Sequence, residues 1–106
     1  MSVLLALCTA PNDEVAKRLA CALVEEGLAA CVNRIPGVRS TYRWQGELHD
    51  ADEVLLLIKT HRECLQTLKV RLVELHPYEV PELLVFEIAD GLAAYLAWVE
   101  VQTRRQ

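Results

Sequence analysis

Glycine is scarce in this chain, with four in 106 residues, and no glycine-rich phosphate loop can be drawn from them. A serine elbow and a His-Glu-x-x-His helix, which set a nucleophile or a zinc-bound water at fixed spacing, are missing as well. What can be assembled is thin: an acid–base pair of His76 with Glu79 or Glu82, or a nucleophilic pair of Cys8 with His76. Such pairs need hydrogen-bond reach, which sequence spacing does not supply. The expectation is a protein that is not an enzyme.

Other absences narrow the class further. No apolar run approaches the ~20 residues of a membrane-spanning helix, so no membrane partner is expected. Lysine and arginine are scattered, Arg104-Arg105 is the only cluster, and the net charge is −4. A nucleic-acid binder needs a basic stripe to neutralise phosphates, so no nucleic-acid partner is expected. Cys8, Cys21, Cys31 and Cys64 show no Cys-x-x-Cys spacing, which argues against structural zinc. The chain enters a strand pattern at Val3 without the composition of a leader. Free thiols and a cytoplasmic location are the expectation.

What the chain has in surplus is apolar surface. Apolar residues make up 53% even without glycine, against a usual figure of about 45–50% with glycine included. For a single domain over residues 1–106, a size that buries a modest share of its surface, a partner subunit is the simplest cover.

There is no linker, repeat or low-complexity tract. Val3 to Thr9 reads as a strand covered on both faces. Asn12 can cap a helix whose first turn carries Asp13 and Glu14. That helix lays Val15, Ala16, Leu19, Ala20, Leu23 and Val24 on one stripe and ends at Gly27. Ala29 to Ile35 is a strand, Pro36-Gly37 a bulge or bend, and extended structure resumes from Val38 to Trp44. Gln45-Gly46-Glu47 and the polar stretch His49 to Asp52 mark a hairpin's turn region, and Val54 to Thr60 is the next strand. Thr60-His61-Arg62-Glu63 has the form of a capping box. The following helix places Leu65, Leu68, Leu72 and Leu75 together, and Pro77 stops it. Glu82 to Ala89 is a last strand, and Asp90 caps a short helix bearing Leu92, Tyr95, Leu96 and Val99.

The order is β-α-β-β-α-β, so the predicted class is α+β: a ferredoxin-like sandwich with an extra C-terminal helix. Its helices would lie on one face of an antiparallel sheet, leaving the other face polar. Yet Val3–Cys8, Val54–Ile58 and Leu83–Phe86 are apolar at successive positions, and the last would be an exposed edge. Sheets meeting face to face, with edges joined between subunits, would resolve both problems, which predicts a homo-oligomer.

Several segments carry a family resemblance. Ala30-Cys31-Val32-Asn33-Arg34-Ile35-Pro36, followed by Ser40, Tyr42, Trp44 and Gly46, resembles the first signature of the CutA family. Glu53 with Leu57 to Thr60 resembles the second, and His76-Pro77-Tyr78-Glu79-Val80-Pro81-Glu82 the third. Cys8-Thr9-Ala10-Pro11, Tyr95 and Trp98 match too, so the resemblance runs from about Val3 to Thr103. It implies a subunit shaped like the PII signalling proteins and assembled as a homotrimer. It also implies divalent-cation tolerance with binding of copper, Cu2+ above all, and of other divalent ions. No organic cofactor is implied. The carried-over ligands are Cys8 and His76. Some members have a second histidine just before the latter; here that position is Leu75, and fewer ligands mean weaker, less selective binding.

Cys8 offers a soft thiolate suited to Cu(I), and His76 an imidazole suited to Cu(II) or zinc. Their plainer readings are a small core residue and a cap on last-turn carbonyls. His49, among Asp50, Asp52 and Glu53, reads as a solvated hairpin tip before it reads as a cation site. His61 reads as an exposed first-turn residue. Lys59 and Glu82 each cap an apolar strand and need a partner: each other, or a group across a subunit boundary. With Tyr42, Trp44, Tyr78 and Trp98 they would otherwise line an intersubunit cleft for a small molecule or protein, as in a PII-like sensor. The same aromatics serve equally as interface anchors of a rigid scaffold.

Overall fold

Strand β1 (Val3–Ala10) is apolar at every position but Thr9. The computed structural model describes residues 2–103, so the Arg104-Arg105 pair lies outside the described residues. Helix α1 (Asp13–Glu25) starts as its sequence demands, with Asn12 Oδ1 accepting the Val15 N–H at 2.9 Å. Val15, Ala16, Leu19, Ala20 and Leu23 are buried, whereas Val24 faces solvent. Each residue turns the helix by about 100°, which carries Val24 off the core stripe. Gly27, with φ of 73°, supplies the left-handed residue that ends the helix.

Strands β2 (Cys31–Trp44) and β3 (Glu47–His61) form one long hairpin. Gln45 and Gly46 both have positive φ, 51° and 81°, the backbone of a two-residue turn that matches strand twist. The bulge at Pro36-Gly37 is present: the register steps from Ile35 opposite Leu55 to Val38 opposite Glu53. The stretch His49 to Asp52, expected within the turn region, is strand instead. Its side chains have cross-strand partners, Asp50 with Thr41 and Asp52 with Arg39, so the ladder runs to the tip. Strand β1 stops at Ala10 opposite Val54. Residues 38–53 therefore form a two-stranded arm, and the subunit measures 44 × 26 × 22 Å.

The capping box is not used. Strand β3 runs past Thr60, whose buried hydroxyl donates to the Leu28 carbonyl at 2.7 Å. His61 takes the cap position, its Nδ1 accepting the Glu63 N–H at 3.1 Å. It is 3% exposed rather than solvated, with Glu100 3.5 Å from Nε2. A single 3₁₀ turn, Arg62–Cys64, leads into α2 (Leu65–Leu75), which buries Leu68 and Leu72. Strand β4 is Leu84–Glu87, shorter than predicted, because only those residues lie opposite β1. Helix α3 (Ala93–Gln102) has Leu92 at its cap position; Asp90, predicted there, accepts the Gly91 N–H instead.

The antiparallel strands lie in the order β2-β3-β1-β4, which with this element order is the ferredoxin-like α+β fold. On one face Ala6, Cys8, Ala10, Leu56 and Ile58 meet the buried leucines of α1 and α2. The opposite face is covered at one end by α3, where Val99 packs with Val3 and Ala30. Beyond it Leu5, Leu7, Leu55 and Leu57 are half-buried, and Ile35, Leu84 and Phe86 are exposed.

Thr60→Val keeps the shape of the side chain and leaves the buried Leu28 carbonyl without its donor. A loss of about 1–3 kcal/mol is expected, read from the denaturation midpoint at fixed protein concentration. An unchanged midpoint would show that the bond contributes nothing.

Candidate functional site

The connection after α2 folds back on the end of β1. Pro77 ends the helix, and His76, only 6% exposed, turns inward. Its Nε2–H donates to the Thr9 carbonyl at 2.8 Å, while Nδ1 accepts the Tyr78 N–H at 3.1 Å. The same turn aims the Tyr78 hydroxyl at Glu53, to which it donates at 2.7 Å. Burial first, then that bond, raises the Tyr78 phenol above its ordinary range. Glu53 sits just past the bulge at the root of the arm and is 9% exposed.

These groups wall a cleft of about 640 Å³ where the arm leaves the sheet. Ser40, Tyr42 and Trp44 line it from β2, Glu53 from β3, and Tyr78, Glu79 and Glu82 from the connection. Of the predicted cleft residues, Tyr42, Trp44, Tyr78 and Glu82 are brought together. Lys59 and Trp98 lie elsewhere. The Lys59 ammonium donates to Asn33, with Cys31 Sγ 3.9 Å away, and so does not pair with Glu82 in the subunit. Trp98 packs on Tyr95 of α3, ring centres 5.7 Å apart. Glu53 and Glu79 belong to the cleft although pattern reading did not place them there. An acid opening an apolar strand was the available signal for Glu53, and the place beside Tyr78 in the His76–Glu82 segment was that for Glu79.

Cys8 and His76 both converge on Thr9, but neither offers a metal a free donor. The Cys8 thiol is fully buried and points to the Thr9 carbonyl at 3.6 Å. Burial, then the charges of Glu82 and Glu53, pushes it up to about 12, so it is neutral at pH 7. Both His76 nitrogens are engaged. The pair does not fit a resident copper ion in this conformation. Among the described residues, no three His, Cys, Asp or Glu side chains gather as ligands for one ion. His49 stacks on Tyr42 at 5.4 Å rather than joining its acidic neighbours.

Residues 4–102 match the family described as CutA1 divalent ion tolerance protein. The chain belongs to that family. It is 52% identical over 97 residues to the divalent-cation tolerance protein CutA of Thermus thermophilus, covering 92% of this chain and 94% of the relative. The solved Thermus thermophilus structure superposes with a TM-score of 0.94 at 49% identity, over 96% of this chain and 99% of that one. The CutA of Archaeoglobus fulgidus, described as a periplasmic divalent cation tolerance protein, gives 0.91 at 32% identity over 94% and 97%. None of these descriptions is that of an enzyme.

The raised Cys8 value carries a pH signature. The folded thiol holds its proton above the unfolded value of about 8.5, so the unfolded chain binds fewer protons from there towards about 12. Stability falls as pH rises through that window, by up to about 1.4 kcal/mol per pH unit from this group. Cys8→Ala should flatten the alkaline limb of a stability–pH curve. Identical limbs in the two proteins would overturn the assignment.

Proposed function

We propose that this CutA1-family subunit serves divalent-cation tolerance as a cytoplasmic homotrimer that catalyses no reaction. The ion it meets is Cu(II), with other divalent ions bound more weakly. The family match supports a role in tolerance of divalent ions; the choice of copper among them follows the family resemblance. Assembly is supported by the half-covered sheet face: Leu5, Leu7, Leu57, Leu84 and Phe86 lie on it in adjacent register, with no layer of their own. An apolar face of that extent marks an association surface. The arm points the same way, because a two-stranded ribbon is marginal without something to pack against. The number three follows the family resemblance. The four cysteines are not joined in disulfides, which suits a reducing compartment.

For Cys8 and His76 to hold copper, the thiol would have to ionise and His76 to release Thr9 or Tyr78. Tight binding at that pair is not expected. In a copper titration against a competing chelator, His76→Ala should match the parent within about twofold, below the effect of losing one charge-assisted bond. A loss of binding in the variant would restore His76 as a ligand and show that the connection rearranges.

A second reading is favoured by one observation, the aromatic and acidic cleft at the root of the arm. In it the protein acts as a PII-like sensor or adaptor, with the cleft taking a small molecule or a protein partner.

Light scattering on the eluting protein should give three times the 12.0 kDa subunit mass. Leu84→Glu with Phe86→Glu should lower it to the subunit mass while helical content persists. A parent protein that elutes as one subunit would sink the assembly.

A further inference from the structure

The cleft carries charge of one sign. Among the described residues it is lined by Glu53, Glu79 and Glu82 and by no lysine, arginine or histidine. Among the described residues none of the three takes part in an ion pair, and Glu53, 9% exposed, has the Tyr78 phenol as its hydrogen-bond donor. A carboxylate that far from water is costly without a counter-cation. Phosphate-bearing ligands are disfavoured here by the same charges.

Two features decide what kind of cation fits. The acids are spread along the walls, and no three of them gather on a point, so one metal ion is not chelated. A volume of about 640 Å³ is far larger than an ion needs and matches an organic ligand. Between the acids stand Tyr42 and Trp44, 45% and 40% exposed, and Tyr78. Aromatic faces cover methylene chains and attract ammonium groups. We infer that the cleft binds a linear polyamine, its ammonium groups paired with Glu53, Glu79 and Glu82 and its methylenes lying on Tyr42 and Trp44. This rests on the reading of the cleft as a ligand site and names the ligand's class.

The probe is spermidine, titrated by calorimetry and by tryptophan fluorescence into the assembled protein, with Trp98→Phe leaving Trp44 as the sole indole. Saturable binding, one per cleft, is expected. It should weaken by about tenfold or more in Glu53→Gln and in Glu82→Gln, the effect of one lost charge-assisted contact. Glu14→Gln, which removes an exposed acid of α1, should change nothing. Butylamine should bind at least about tenfold more weakly, and equimolar Mg²⁺ should not displace spermidine. An equal loss in Glu14→Gln would show general attraction to an acidic protein and overturn the proposal. Displacement by Mg²⁺ would overturn it in favour of a metal site. If Glu53→Gln changed the assembled mass while Glu82→Gln bound spermidine normally, Glu53 would have its cation in a neighbouring subunit and the proposal would fall. If inorganic phosphate raised Tm and spermidine did not, the cleft would stand as a site and the ligand class would be wrong. Silence from every probe would remove the cleft reading too.

Discussion

The pairing of β1 with β3 is the constraint on which the other elements depend. It runs from Val3 opposite His61 to Ala10 opposite Val54, the central pair of the sheet. Most of its residues are apolar on both faces, so polarity alone would penalise a one-residue slip less than usual. Size fixes what polarity does not. The face of β1 turned to the helices presents Ala6, Cys8 and Ala10, all fully buried, while the other presents Leu5 and Leu7. The small side chains let α1 and α2 approach closely, and a slip would drive leucines into that layer. Overpacking of that kind typically costs about 1–3 kcal/mol.

The same pair explains the placement of the candidate site. The last residues of β1 pass beneath the connection that follows α2, and the Thr9 carbonyl, next to an ordinary ladder, is claimed by His76. That bond anchors the turn that sets Tyr78 against Glu53. An imidazole that resembles a metal ligand in sequence therefore acts as a brace between a strand end and a loop.

Much of the fold was legible in the sequence because local rules agreed with the global packing. Asn12, Gly27, the Pro36-Gly37 bulge and the leucine face of α2 each behave as their chemistry suggests. The misreadings share a cause, which is that a distant group outbid a local one. Thr60 has the spacing of a cap, but the Leu28 carbonyl, 32 residues away, takes its hydroxyl. His61 has the polarity of a surface residue, but α3 closes over it with Glu100. The hairpin's polar tip looked like loop because its side chains are hydrophilic; a ribbon exposed on both faces has no apolar alternation to reveal it. In the site, residue types showed the aromatic walls but not the backbone carbonyl that spends the His76 donor. Lys59 and Trp98, expected in a cleft between subunits, do not line the part of it that one subunit forms.

Strand β4 also bears on how the chain comes to its shape. The second edge of β1 is closed by Leu84–Glu87, some 80 positions along, whereas the β2–β3 hairpin closes through two residues. Hairpins form within about 1–10 μs, but pairing across such a separation is slow and must wait for the intervening chain. During synthesis, at about 5–20 residues per second, the first strand made is thus among the last to be completed. For several seconds it offers an open edge to any extended segment nearby, and the subunit is exposed to mispairing just where its finished form is best protected.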